Sequence, residues 1–125
     1  MRLLLDTHIL LWWLDDDPRL GDTVRRAIVD GTNDVLISSI TIAEIEIKKA
    51  LGKLDVPREL LTVLDEAGFG TLPLSAAHSQ QLRELPPHHS DPFDRMLVAQ
   101  AIIEHVPLAT ADARLAAYDV QLLAN

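Results

Sequence analysis

The chain has no cysteine, few aromatic residues and an excess of acidic over basic residues. Without cysteine it can form neither disulfides nor thiolate zinc sites, so we expect a protein of the reducing cytoplasm. Its 11 Lys and Arg residues stand against 19 Asp and Glu residues, for a formal net charge of -8. That balance is the reverse of the basic surface of proteins that coat nucleic acid. A bound cation inverts local charge, however, so an acidic enzyme can still hold a phosphate.

Long apolar runs are also missing, and no stretch is long enough to cross a membrane. Asp6 and His8 interrupt the first apolar segment, so we expect neither an export signal nor membrane attachment. Hydrophobic residues nevertheless make up 48% of the 125 residues. This content predicts one domain with its own core, spanning residues 1–125.

Strand-like and helix-like segments alternate along the chain, which predicts an α/β fold with a mainly parallel sheet covered on both faces. Pro73 cannot donate to a strand ladder, so its strand is expected at a sheet edge. Asp91 and Pro92 have the residue types of an N-cap and first helical position. The predicted strands are 1–5, 35–38, 71–74, 107–110 and 120–123; the predicted helices are 9–14, 22–30, 40–54, 57–64, 75–85, 91–105 and 112–117.

The segment 40–54 is ambiguous because its first half is rich in isoleucine, which favours strands. A helix is still favoured, since apolar residues recur at a spacing close to 3.6. The residues of this stripe are Ala43, Ile47, Ala50, Leu51 and Leu54.

Four acidic residues follow predicted strands or begin predicted helices: Asp6, Glu44, Asp94 and Asp112. Open parallel sheets bind ligands outside the carboxyl ends of their strands, so we expect these side chains at one common edge. Carboxylates gathered without a counter-charge repel one another and lose hydration, which a hard cation such as Mg²⁺ or Mn²⁺ would offset. The pattern therefore predicts a divalent-metal site.

Each acid also has a simpler explanation when taken alone. Aspartates often cap helices and turns, and Asp94 has the spacing of an N3 partner for an Asp91 cap. Glu44 can form an i,i+4 ion pair with Lys48 without any active site. These explanations do not account for the predicted location of all four acids at one edge of the sheet.

Several strings in the chain resemble the PIN-domain ribonucleases, and specifically the VapC toxins of toxin–antitoxin pairs. The most specific is the Asp-Pro-Phe-Asp-Arg segment followed by Ala-Gln-Ala. The resemblance spans nearly the whole chain, in order and spacing. Its strings are LDTH at 5–8, SSITIAEIEIK at 38–48, GKL at 52–54, HHSDPFDRMLVAQA at 88–101 and TAD at 110–112.

The resemblance implies the PIN three-layer α/β/α sandwich and an endoribonuclease that hydrolyses RNA to a 5′-phosphate and a 3′-hydroxyl. Asp6, Glu44, Asp94 and Asp112 match the family's acidic quartet, which binds Mg²⁺ or Mn²⁺ and carries catalysis. The alignment assigns Asp94 to the metal and leaves Asp91 as a helix cap and fallback ligand.

Neighbouring residues are candidates for supporting roles. Thr7 and Thr110 flank acids and could orient a carboxylate or water, although threonines near turns often bond only locally. Arg95, Lys48 and Arg114 could touch the RNA backbone, or could be solvated surface charges. The pair at 88–89, two histidines, suggests zinc, but no further His or Cys completes a tetrahedral site, so zinc is not expected.

Trp12 and Trp13 fill core space or line an apolar groove for a partner. The resemblance favours the groove, because a VapB-like antitoxin wraps VapC toxins near the active site. It also implies a homodimer.

Two other functions remain to be weighed. A metal-dependent phosphatase-like enzyme is disfavoured because Asp6-Thr7-His8 lacks a second acid two residues later. A non-catalytic protein-binding module of the same fold is disfavoured by the complete quartet, and Mg²⁺ should not raise its melting temperature.

Overall fold

The computed structural model describes residues 1–56 and 59–125. Over those residues the chain forms five strands, six α-helices and two 3₁₀ helices. In chain order these are β1 Arg2–Leu5, α1 Thr7–Leu14, α2 Asp22–Val29, β2 Asp34–Ser38, α3 Ser39–Ala50, α4 Leu60–Glu66, β3 Gly70–Leu72, α5 Ala76–Gln81, a 3₁₀ helix Leu82–Glu84, α6 Pro92–Glu104, β4 Leu108–Thr110, a 3₁₀ helix Ala113–Ala117 and β5 Leu122–Ala124.

The five strands form one sheet in the order β3-β2-β1-β4-β5, and every pair is parallel. The predicted parallel α/β architecture is therefore confirmed. Leu5 at the end of β1 lies opposite Ile37 of β2 and Ala109 of β4. The carboxyl ends of the three central strands thus lie side by side, where the chain reverses its winding direction and ligands bind in such sheets.

Helices cover both faces of the sheet because successive residues of the buried strand β1 point to opposite sides. Leu3 and Leu5 pack in one apolar cluster with residues of α1, α2 and α4. Leu4 packs in a second cluster with residues of α6. Since burying each such side chain contributes about 1.5–3 kcal/mol, the two clusters hold the three layers together.

Helix α3 forms as predicted, but its core-facing side differs from the apolar stripe. Ile45 and Glu44 are buried, whereas Ile47 is 48% and Leu51 62% exposed. The helix ends at Ala50 rather than at 54, because Gly52 adopts a left-handed conformation with φ 70°. This conformation suits glycine and ends helices.

Other boundaries differ by small amounts from the predicted ones. The predicted 75–85 helix is α5, capped by Ser75 as expected, followed by a separate 3₁₀ helix. Strand β3 lies at the sheet edge as predicted, although Pro73 falls just after it. The predicted helix start at Pro57 lies outside the described residues. Within residues 1–56 and 59–125, no helix has the length and apolarity needed to span a bilayer.

Candidate active site

Asp6 is held at the end of β1 as the N-cap of α1. Its Oδ1 accepts a hydrogen bond of 2.9 Å from the Ile9 backbone N–H, and its Oδ2 accepts one from the Thr110 hydroxyl. The side chain is buried, and this burial raises the pKa of the Asp6 carboxyl. The two hydrogen bonds lower that pKa in part, while the charge of Asp112 raises it further. Asp6 is therefore a desolvated carboxylate beside another acid.

Glu44 lies on the buried side of α3, and its two oxygens have different partners. Thr7 Oγ1 donates to Oε1 at 2.9 Å, and Lys48 Nζ donates to Oε2 at 2.6 Å. The i,i+4 ion pair with Lys48 is therefore present, but it does not remove Glu44 from the site. The charge of Glu44 still raises the pKa of Asp94, a residue on a different helix.

Asp94 occupies the first turn of α6, which Asp91 caps by accepting from the Phe93 N–H at 2.8 Å. The capping role expected of Asp91 is confirmed. Burial is the largest of the effects that raise the pKa of Asp94 from 3.8 to about 6; repulsion from Asp91, Asp6 and Glu44 adds to it, against an opposing effect of His89. Repulsion among acids from separate elements indicates that they share one electrostatic environment.

Asp112 follows β4 and caps the 3₁₀ helix Ala113–Ala117. Its Oδ1 accepts from the Arg114 backbone N–H and Nε, both at 3.0 Å, and its Oδ2 accepts from an Arg114 Nη at 2.9 Å. His89 Nε2 lies 2.9 Å from the same Oδ2. These bonds, led by those from Arg114, hold the pKa of Asp112 well below its usual range. Four donors thus match the four lone-pair positions of this carboxylate.

His89 is the site residue that the sequence reasoning missed. It is buried in the loop before α6, and its Nε2 lies 2.9 Å from Asp112 and 3.4 Å from Asp94. Ligand atoms of these three residues lie within 4.8 Å of one another. Sequence reasoning weighed the two histidines only as a zinc pair. The signal available in the sequence was the position of His89, two residues before the Asp91-Pro92 start of α6.

The supporting residues divide into two groups. The hydroxyls of Thr7 and Thr110, which we expected to orient a carboxylate or water, donate to Glu44 and Asp6 respectively. Lys48 and Arg114 pair with acids and remain 41% and 70% exposed. Arg95 instead donates to backbone carbonyls of residues 82, 85 and 86 and to the Tyr118 hydroxyl. Its guanidinium therefore fastens the loop before α6.

The two tryptophans are both half-buried but have different neighbours. Trp13 packs against Phe69, with ring centroids 6.3 Å apart. Trp12 lies near His8, and the Arg19 guanidinium lies 5.1 Å from its ring centroid. An apolar groove of about 200 Å³ lies beside α1, lined by Leu11, Leu14, Asp15, Leu54, Asp55, Val56 and Val63. Neither tryptophan belongs to that lining.

The donor set fits a hard divalent cation. Carboxylate oxygens are the ligands that Mg²⁺ prefers, and burial raises the pKa values of both Asp6 and Asp94. A cation would remove the penalty that burial and repulsion impose on these charges. Asp6, Glu44 and Asp94 would offer oxygens to the cation, and Asp112, which lies close to Asp94, would join them when the 70% exposed Arg114 releases its bonds to that carboxylate.

Solved structures share this fold. A chain of VapBC2 from Rickettsia felis, bound to a DNA fragment from its promoter, superposes with a TM-score of 0.75 at 19% identity, covering 100% of this chain and 99% of that one. VapBC-5 from Mycobacterium tuberculosis gives 0.67 at 20% identity, with 99% and 98% covered. FitAcB from Neisseria gonorrhoeae gives 0.64 at 22%, with 97% and 96% covered.

Sequence comparison assigns the family. No curated protein matches the sequence significantly. The sequence profile of the PIN domain matches residues 3–121, nearly the full length of the chain. The chain therefore belongs to the PIN domain family.

Proposed function

We propose that this chain is the toxin of a toxin–antitoxin pair and acts as a Mg²⁺- or Mn²⁺-dependent endoribonuclease. Membership of the PIN family supports nuclease chemistry. Similarity to chains of toxin–antitoxin complexes supports the toxin role.

The observation that carries the proposal is the bonded grouping of acids near the end of β1: Thr110 donates to Asp6, Thr7 donates to Glu44, and His89 Nε2 lies 3.4 Å from Asp94 and 2.9 Å from Asp112. The acids come from separate elements: Asp6 follows β1, Glu44 lies in α3, Asp94 lies in the first turn of α6 and Asp112 follows β4. Burial, with repulsion from Asp91, Asp6 and Glu44, raises the pKa of Asp94 to about 6, and strongly perturbed pKa values are concentrated at functional sites. A cation with a phosphate substrate fits this concentration of oxygens.

Asp6, Glu44 and Asp94 would hold the cation, with Asp112 beside them. When bound, Mg²⁺ or Mn²⁺ supplies positive charge that polarises a phosphate oxygen and acidifies water. Thr110 and Thr7 orient Asp6 and Glu44 through their hydroxyls. Because the Arg114 side chain is exposed, its guanidinium would be able to leave Asp112 and pair with an RNA phosphate. In hydrolysis the water oxygen bonds to phosphorus and the P–O3′ bond breaks, leaving a 5′-phosphate and a 3′-hydroxyl.

The antitoxin partner would cover the groove beside α1. Its lining is apolar, with Asp15 and Asp55 adding negative charge. An amphipathic segment with apolar anchors and a basic residue suits this surface, because apolar anchors need pockets and charge complementarity speeds association. We also propose that the toxin assembles as a homodimer, as its resemblance to VapC toxins implies.

Cleavage of a mixed RNA pool tests the enzymatic proposal. Wild-type protein should cleave with Mn²⁺ or Mg²⁺ and stop when EDTA is added. The cleavage rate of Asp6→Asn should be at least about 100-fold lower than that of wild type, because the substitution removes a negatively charged metal ligand from the site. Asp65→Asn, an exposed acid on α4, is the matched control and should cleave like wild type. Equal cleavage by Asp6→Asn would attribute the activity to a contaminant and reject the proposal.

Growth after induced expression tests the toxin role separately. Wild-type protein should arrest growth, and Asp6→Asn should not, when both accumulate as folded protein. Harmless expression of an RNA-cleaving wild-type chain would reject the toxin role while leaving the nuclease intact.

A further inference from the structure

His89 is fixed in the site by contacts on three of its nitrogens. Its backbone N–H donates to the Tyr118 hydroxyl at 3.0 Å. Its ring Nδ1 lies 3.0 Å from the Asp91 backbone nitrogen, and its Nε2 lies 2.9 Å from Asp112 Oδ2. The ring is therefore held between the N-terminus of α6 and Asp112, two residues after the end of β4.

The contact at Nδ1 decides which ring nitrogen carries the proton. A backbone N–H can only donate, so Nδ1 must be unprotonated to accept from Asp91. In the neutral ring the proton then lies on Nε2, which donates to Asp112. A protonated Nε2 has no lone pair for a metal, so the close group of His89, Asp94 and Asp112 is not a three-ligand site.

We propose that His89 is a positioning residue that orients the Asp112 carboxylate for the metal centre without itself binding the ion. This inference rests on the proposed metal-dependent function. Donation from His89 fixes one lone pair of Oδ2, while Arg114, whose side chain is 70% exposed, is free to release the remaining lone pairs of Asp112 to the ion. The imidazole thus fixes the position of the Asp112 carboxylate relative to that of Asp94.

Two substitutions of His89 distinguish the hydrogen bond made by Nε2 from the one made by Nδ1. His89→Gln places an amide nitrogen near the Nε2 position and retains a donor for Asp112. His89→Asn places an amide oxygen near the Nδ1 position and retains only the acceptor for the Asp91 N–H. The two variants therefore differ in the single contact that the proposal requires.

His78→Asn is the matched control. His78 is also buried, its Nδ1 accepts from the Ser75 N–H at 2.9 Å, and its Nε2 lies 2.9 Å from Glu104 Oε2. Glu104 ends α6, whereas Asp94 lies in its first turn. The control thus makes the same kind of change away from the acids.

Mn²⁺ affinity, measured by calorimetry on the full chain, is the primary readout, and thermal unfolding checks the fold. His89→Asn should weaken Mn²⁺ binding about 10–100-fold, as loss of an outer hydrogen-bond partner does. His89→Gln and His78→Asn should stay near the wild-type affinity. A folded His89→Asn with unchanged affinity would overturn the positioning role. Wild-type protein that binds no Mn²⁺ would instead reject the proposed function.

Nitrogen NMR of the wild-type imidazoles tests the arrangement without relying on any His89 variant. In metal-free protein the His89 Nε2 should be protonated and Nδ1 unprotonated, and Asp112→Asn should shift the Nε2 resonance. The same tautomer should persist when the diamagnetic ion Zn²⁺ is added as a probe. A neutral ring protonated only on Nδ1, or loss of the Nε2 proton with Zn²⁺, would overturn the proposal by leaving Nε2 free to bind the ion.

Discussion

Asp94→Asn should stabilise the metal-free protein while removing its response to Mg²⁺. The substitution keeps the shape of the side chain and removes a charge that burial and neighbouring acids oppose. Asparagine at this position neither repels the other acids nor attracts a cation strongly. The negative charge at residue 94 is therefore expected to lower the stability of the metal-free fold and to raise its affinity for a cation.

The size of the effect follows from the pKa of Asp94. A rise from 3.8 to about 6 corresponds to about 3 kcal/mol of folding free energy lost at neutral pH, at about 1.4 kcal/mol per pKa unit. The side chain remains 24% exposed, and solvent screening reduces the figure. We expect Asp94→Asn to raise the free energy of unfolding at pH 7 by about 1–2 kcal/mol.

The pH dependence has a definite sign. Because the folded-state pKa is raised, the folded protein binds more protons than the unfolded chain between about pH 4 and 6. Stability from this group is fully present below its ordinary pKa and is lost as pH rises through the folded value. The advantage of Asp94→Asn should therefore be large at pH 7 and small at pH 4.

Urea unfolding in EDTA and in Mg²⁺ provides the assay. Mg²⁺ at 100 times its dissociation constant should stabilise wild type by about 2.7 kcal/mol, and Asp94→Asn by much less. Asp65→Asn is the matched control, since Asp65 is an exposed acid on α4 and is not among the charges that act on Asp94. A metal-free Asp94→Asn no more stable than wild type at pH 7 would refute the electrostatic reasoning.

Three further substitutions test other contacts. Thr110→Val removes the donor to Asp6 and should weaken Mn²⁺ binding about 10–100-fold by calorimetry; unchanged affinity would contradict this orienting role. Ile45→Ala should cost about 2–5 kcal/mol in urea unfolding because it opens a core cavity, whereas Ile47→Ala should change stability by only about 0.5 kcal/mol, and equal losses would contradict the assigned core face. Arg95→Ala should lower the free energy of unfolding in urea by about 1–3 kcal/mol, because its carbonyl acceptors lose their donor; an unchanged value would contradict its role in fastening the loop.

Local sequence signals determined most of the fold. The apolar run of β1 and the Asp91-Pro92 cap of α6 depend on residues adjacent in the chain, and both appear where they were predicted. Alternation of strand and helix then required a parallel sheet, because parallel strands need long crossovers. The order of the acids along the chain suggested their common edge by the same logic.

Boundaries and faces were less predictable, since they depend on partners distant in sequence. The stripe through Ile47 and Leu51 correctly indicated a helix, but periodicity does not specify which side meets the sheet. The structure buries Glu44 and Ile45 and exposes the stripe. Glu44 must face the start of α1 for its carboxylate to meet Thr7, so the site and the core share one side of α3.

The sequence by itself determined the α/β architecture and the four acids, because turn chemistry, strand order and motif spacing are written along the chain. Only the tertiary structure decided how those acids are supported. His89 reaches Asp112, Thr110 reaches Asp6 and Arg95 secures the loop through contacts that span 9 to 104 positions. Hydrogen bonds and burial act over a few ångströms in space, so their partners emerge only when distant segments have packed.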